Sequence, residues 1–146
     1  MYRRTTKAIQ VLLVHPGGPF WRNKDLGAWS IPKGEIKPGE NPADVAQREF
    51  REELGSAAGQ PLRHLGEIRQ RGGKAVIAFA IEGNLDADHI TSNTFEIEWP
   101  PKSGRRQCFP EVDRARWFDL KRAREKIIDG QRPLLERLEE FASLLG

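Results

Sequence analysis

The chain has 146 residues, 38% hydrophobic and 31% charged, with 24 Lys and Arg against 21 Asp and Glu. That size suits one domain with a core of its own, and no apolar run approaches the ~20 residues of a bilayer-spanning helix. A net charge of +3 favours anionic ligands such as phosphates, but the cations are spread among nearly as many acids, which argues against a nucleic-acid surface.

In chain order, the basic-then-apolar start breaks at His15-Pro16-Gly17-Gly18. A signal peptide would continue to a small-residue cleavage site, so this start reads as a strand, centred on Thr6 to His15. Pro16 to Gly27 is rich in Gly, Pro and Asn and predicts a loop, a candidate lid or pocket wall with Trp21 and Arg22 as contacts. Ala28 to Pro32 is a short extended piece, because a residue before proline is pushed out of the helical region. Lys33 to Glu40 is a glycine-bearing loop. A helix follows, capped at or beside Asn41, with Pro42 in its first turn and Gly55 after its end at Leu54. Strands are expected over Gly73–Gly83, Thr94–Trp99 and Ala115–Leu120. From Gln131, the residues Leu134, Leu135, Leu138, Phe141, Leu144 and Leu145 recur at helical spacing and predict an amphipathic helix packed on the body. Mixed strands and helices in one chain predict an α/β sandwich and a single domain over residues 1–146. His15, His64 and His89 show no ligand spacing. Cys108 is the only cysteine, which excludes an internal disulfide and suits a reducing cytoplasm.

The stretch QREFREELGS, Gln47 to Ser56, carries Glu49, Glu52 and Glu53. At about 100° per residue, these three carboxylates share one helix face. Like charges at such spacing cost roughly 0.2–0.5 kcal/mol per pair. A charged helix face is usually just a solvated one, and Arg48 at i−4 from Glu52 relieves part of the repulsion. The alternative is a hard divalent cation, Mg²⁺ or Mn²⁺, which takes oxygen ligands of this kind. Glu40, in the loop before the helix, can approach the same patch. The charges alone do not decide between these; the spacing of the whole segment does.

That spacing resembles the Nudix box: Gly, five residues, Glu, seven residues, then Arg-Glu-apolar-x-Glu-Glu-x-Gly-apolar. It is met by Gly34, Glu40, Arg48, Glu49, Phe50, Glu52, Glu53 and Gly55, and departs only at Ser56, where the last apolar position falls. The resemblance implies a Nudix fold, an α/β/α sandwich with a mixed β-sheet. It also implies hydrolysis of a diphosphate linked to another moiety, usually a nucleoside diphosphate derivative, with Mg²⁺ or Mn²⁺. Glu49, Glu52 and Glu53 match the family's metal-binding glutamates. Arg48 matches the arginine that orients a box glutamate. Glu40 supports the metal cluster, and a backbone carbonyl at the Lys33–Gly34 corner is a further ligand. One of the glutamates, Glu49 first, holds or deprotonates the attacking water, unless a downstream loop supplies the base. Glu111 is a candidate for that, with Glu96 and Glu98 as rivals.

Lys33, just before the box glycine, is similar to the dinucleoside polyphosphate hydrolases and to some 8-oxo-nucleotide enzymes, where it would hold a phosphate. In the loop Trp99 to Glu111, Lys102, Arg105 and Arg106 flank Ser103-Gly104 and suit phosphate oxygens, and Trp99 is a candidate for stacking on a base. The tyrosine of the diadenosine class and the proline of the ADP-ribose class are both absent from Arg69 to Val76, where Arg69 or Arg71 can meet phosphates instead. The substrate expected is a phosphorylated small molecule, a (di)nucleoside polyphosphate first. A diphosphoinositol polyphosphate or an oxidised nucleotide is the alternative, as is a Nudix-fold sensor that only binds. Binding-only members typically lose box glutamates, and all are present here. No nucleic acid or membrane partner is expected, and the sequence carries no signal for an oligomeric state.

Overall fold

The computed structural model describes residues 1–70 and 72–145. In chain order the strands are β1 Tyr2–Arg4, β2 Ile9–Pro16, β3 Arg63–Arg69, β4 Ala75–Ala80, β5 Thr94–Glu98, β6 Arg106–Pro110 and β7 Val112–Asp119. The helices are α1 Pro42–Leu54, α2 Leu120–Lys126 and α3 Arg132–Leu144, with a 3₁₀ turn at Asp129–Gln131 before α3. β2 is the centre of a three-stranded sheet ordered β1-β2-β7, while β3-β4 and β5-β6 form two separate hairpins. All these ladders are antiparallel. Among the described residues, parallel pairing is confined to the single bridges Tyr2–Glu82 and Trp29–Ile127.

β2 is buried from Val11 through His15 because helices cover both faces of its sheet. Leu12 and Val14 face α1, packing with Phe50 and Leu54. Val11 and Leu13 face the other way, onto Ala123, Ile127, Leu135 and Leu138 of the α2–α3 side. Full burial of each large apolar side chain here contributes about 1.5–3 kcal/mol. The predicted sandwich follows from this alternation, with the box helix on one face and the C-terminal helices on the other.

Three details differ from expectation. Leu144 is 86% exposed and Leu145 also points to solvent, so the apolar stripe of α3 ends at Phe141 and Ala142. The strand expected at Ala115 begins earlier, at Val112, where pairing with Pro16 extends β7. Elements β1, β3, β6 and α2 carry no periodic apolar signal: α2 buries only Ala123 and Lys126, and β6 is almost wholly exposed. Among the described residues no helix is long and apolar enough to cross a membrane.

Candidate active site

The box helix is set by its ends. The Asn41 side chain accepts hydrogen bonds from the Ala43 and Asp44 amides at 2.9 and 3.2 Å, and Pro42 occupies the first turn. At the other end Gly55 adopts φ +81°, and a Cβ there would lie 2.7 Å from the Thr91 carbonyl oxygen. The chain following that contact is tied back to the helix, since the Asn93 amide donates to the Glu52 carbonyl at 2.7 Å.

The loop before the helix is folded onto the carboxylates. The Lys33 amide donates to Glu53 Oε2 at 3.0 Å. Gly34 packs so closely on Glu49 that a Cβ would sit 2.0 Å from its carboxylate carbon, so any side chain there would push the Glu49 carboxylate aside. Glu40 takes the Arg48 guanidinium at 2.6 Å and the Lys37 amide at 2.8 Å, one on each oxygen. The second guanidinium nitrogen of Arg48 stands 3.9 Å from Glu49. Both Glu40 oxygens are thus engaged in pinning the loop to the helix, and its link to the cluster runs through Arg48.

Burial pushes the Glu53 carboxyl up to about 8, against the lowering effect of the Lys33 amide and with help from the charges of Glu49 and Glu111. Glu49 is also raised, by burial first and then by Glu52, with Glu111 and Glu40 adding. Glu111 therefore lies within Coulomb range of both carboxylates whose pKa is raised, Glu49 and Glu53. It sits at the root of the β5–β6 hairpin, where its amide donates to the Asn93 carbonyl and its own carbonyl takes the Gly17 amide.

Beside the carboxylates, sharing Lys33 and Gly34 as a wall, opens a cleft of about 520 Å³ between the box loop and the β3–β4 turn. Its lining joins apolar Ile31, Ile36, Val76 and Ile77 to polar Lys33, Glu35, Gln70 and Lys74. Lys74 and Glu35 bridge the mouth at 2.9 Å. Neither residue belongs to the fixed positions of the box pattern, and nothing in their spacing places them opposite each other. Arg69 is occupied within its own turn, donating to the Gly73 carbonyl at 3.0 Å. Arg71 lies outside the described residues.

The cationic loop from Trp99 stands elsewhere, at the tip of the β5–β6 hairpin. With β5 running from Thr94 to Glu98, that tip is about 13 Å from the hairpin root. Arg106 is paired with Glu96 across the hairpin, and Glu98 accepts the Lys102 amide. Lys102 and Arg105 are exposed. Trp99 packs edge-on against Phe20 of the Pro16–Gly27 loop, centroids 5.3 Å apart. That loop is held at its far end by His15, which is fully buried and bonded to Asp113 and to the Lys24 carbonyl. Trp21 and Arg22 are exposed on it, with Lys24 over the Trp21 ring.

Comparison with known proteins shows the family and the fold. The sequence model of the NUDIX domain matches residues 1–138. The chain belongs to the NUDIX family. A C. elegans Ap4A hydrolase, solved as a binary complex, superposes with a TM-score of 0.65 at 22% identity, covering 97% of this chain and 93% of that one. The NUDIX domain of Shewanella oneidensis NrtR, solved with ADP ribose, gives 0.64 at 17% identity, covering 97% and 82%. An RNA pyrophosphohydrolase of Erythrobacter litoralis (strain HTCC2594) is 50% identical over 36 residues, 25% of this chain and 22% of that relative's length. The solved structures share the Nudix fold at these identities.

A divalent ion is implied by the family, and the residues present fit one. The donors are hard carboxylate oxygens, and Glu53 is sunk beside the box loop with one amide as its partner. Among the described residues no three His, Cys, Asp or Glu side chains already converge as a metal cage. Magnesium does not need one, since it keeps waters and takes phosphate oxygens alongside one or two carboxylates.

Proposed function

We propose that this chain is a Nudix-type diphosphohydrolase that cleaves a diphosphate linkage in a (di)nucleoside polyphosphate, with Mg²⁺ or Mn²⁺ bound by Glu49, Glu52 and Glu53. The observation that carries the reading is the pairing of the box loop with the box helix: the Lys33 amide on Glu53 and Gly34 against Glu49. A binding module has no need to keep three mutually repelling carboxylates in that arrangement. The family membership, the Ap4A hydrolase fold and the short match to an RNA pyrophosphohydrolase support the same class.

When bound, the divalent ion neutralises charge on the phosphate oxygens and lowers the pKa of a water. The chain supplies the rest. Glu49, Glu52 and Glu53, with a carbonyl of the Lys33–Gly34 corner, would hold the ion. Arg48 fixes Glu40 and the loop, so that Gly34 keeps Glu49 in place. Water attacks one phosphorus, a new P–O bond forms, and the bridging P–O bond breaks with its electron pair leaving on the departing phosphate. The proton of the water passes to a carboxylate of the cluster, Glu49 or Glu111. Lys33 at the cleft wall, and Lys102, Arg105, Arg106 and Trp99 on the hairpin, are the groups for the phosphate chain and its far end. Its lone exposed cysteine suits a cytoplasmic setting.

The test is a hydrolysis screen with Mg²⁺ and with Mn²⁺ over diadenosine polyphosphates, nucleoside triphosphates and their 8-oxo forms, ADP-ribose and a diphosphoinositol phosphate. Wild type runs beside Glu53→Gln. A preferred substrate, lost in the variant, is the expected result. Turnover of nothing by wild type, with tight binding of one ligand by calorimetry, would replace the enzyme with a sensor.

A further inference from the structure

The inner end of the cleft carries a hydrogen-bond relay that runs through a fully buried side chain. Gln131, in the 3₁₀ turn before α3, is 0% exposed. Its Oε1 accepts the Ile31 amide at 3.0 Å. A backbone N–H can only donate, so this contact fixes which end of the Gln131 amide is oxygen. Its Nε2 therefore points the other way. It donates to Gln70 Oε1 at 3.1 Å and to the Ser30 hydroxyl at 3.4 Å, while that hydroxyl donates to the Ile31 carbonyl. The orientation passes on to Gln70. With its oxygen taken by Gln131, Gln70 presents its NH₂ as the free end, and among the described residues that nitrogen meets no protein acceptor. Gln70 is a wall residue of the cleft.

The relay thus sets a donor, of fixed polarity, in a cleft lined by apolar Ile31, Val76 and Ile77. We propose that Gln70 is a specificity-determining residue that selects a flat ring carrying a carbonyl acceptor, the lactam edge of guanine, hypoxanthine or uracil, over the amino edge of adenine. Gln131 is the positioning residue that stops the Gln70 amide from turning over. The proposal rests on the cleft being the substrate site of the diphosphohydrolase. A donor facing a donor leaves both unpaired, whereas a donor facing a carbonyl is satisfied, and the difference is worth about tenfold or more in selectivity.

The experiment is steady-state kinetics of the full chain with Mg²⁺ on GTP, ITP and ATP, with calorimetry of the same nucleotides on Glu53→Gln. Gln70→Glu keeps an oxygen for Gln131 and replaces the donor by an acceptor; the negative charge it adds weighs on all three nucleotides alike, so the ratio between them is the readout. Wild type is expected to prefer GTP and ITP over ATP by about tenfold in kcat/KM, and Gln70→Glu to lose or reverse that preference. Gln131→Met, with Gln70 intact, is expected to relax the ratio toward one through KM, which simple destabilisation does not do. A wild type that prefers ATP, or a ratio unchanged in Gln70→Glu with its thermal unfolding intact, overturns the proposal. If wild type hydrolyses none of the three, the diphosphohydrolase reading is judged by the wider hydrolysis screen above, and the calorimetric ratio of guanine to adenine nucleotide on its own upholds or overturns the role of Gln70.

Discussion

The main-chain N–H of Lys33 donates to Glu53 Oε2 at 3.0 Å, and among the described residues it is the one hydrogen bond that this carboxylate receives. A carboxylate so placed is held in position but is not compensated for its burial, so its pKa stands at about 8 against an ordinary 4.5. The stabilising effect of the protonated form is complete below 4.5 and is lost as pH rises through 8. Metal-free protein should therefore melt at a lower temperature at pH 8.5 than at pH 5.5, by several degrees at about 2–4 °C per kcal/mol. Glu53→Gln should remove that particular fall while cutting turnover by about two orders of magnitude or more. Calorimetric melts of both proteins, without and with Mg²⁺, check this. A wild-type slope equal to that of the variant would contradict it.

Gly34→Ala places a methyl group into the Glu49 carboxylate, 2.0 Å from its carbon. The clash is with the end of a flexible side chain, so the fold should survive and the site should not. We expect a loss of about 10²-fold in kcat with a melting temperature near wild type. A fall in stability with kcat retained would mean that Glu49 has room to move aside without cost to the chemistry.

Asp25 holds two buried groups, the Lys126 ammonium and the Trp29 indole, the latter at 2.9 Å. The bond to Lys126, then that to Trp29, holds the Asp25 carboxyl below its ordinary 3.8. Its contribution is present above pH 3.8 and fades as pH falls through the lowered value. Asp25→Asn should destabilise the chain by about 1–3 kcal/mol at pH 7, because Lys126 is left buried without its counter-charge. Urea titrations at pH 7 and pH 3 should show the difference shrinking in acid.

Glu49→Gln and Glu111→Gln separate the two candidates for the proton acceptor. Removal of the acceptor should abolish the acidic limb of the kcat profile, and if the acceptor is Glu49, Glu111→Gln should shift that limb toward acid, since the Glu111 charge raises the Glu49 carboxyl. Profiles in which both limbs survive both variants would place the acceptor outside the pair.

The hairpin tip gives a contrast with Lys33. Replacing Arg105 and Arg106 together should weaken long polyphosphates and flatten their dependence on salt, while Lys33→Gly should raise KM for long chains more than for short ones. Equal effects of Lys33→Gly on both lengths would remove its role as a phosphate clamp.

Much of this was legible because it is local. Asn41, Pro42 and Gly55 mark the ends of α1 by capping chemistry, and the box spacing puts Glu49, Glu52 and Glu53 on one face before any tertiary contact is known. The strand β2 announces itself through an unbroken apolar run. What stayed hidden is non-local or weakly patterned. The β3 strand, Arg63–Arg69, mixes charge with a glycine and buries only Ile68 fully. Lys74 faces Glu35 across the cleft from 39 positions away. Gln131 reaches Ile31 over a separation of 100. The hairpin cations were legible as a group, but not their distance from Glu111, which depends on where β5 and β6 pair.

The same Gln131 gives the molecule a back door. The box helix lies on one face of the central sheet, and the support of Ile31, three residues before Gly34, comes from the turn that launches α3 on the other. A compound wedged beneath that helix would loosen the box loop from behind, without entering the cleft. Because the same side chain orients Gln70 at the cleft, such a compound would change how substrate is held while sharing none of its contacts.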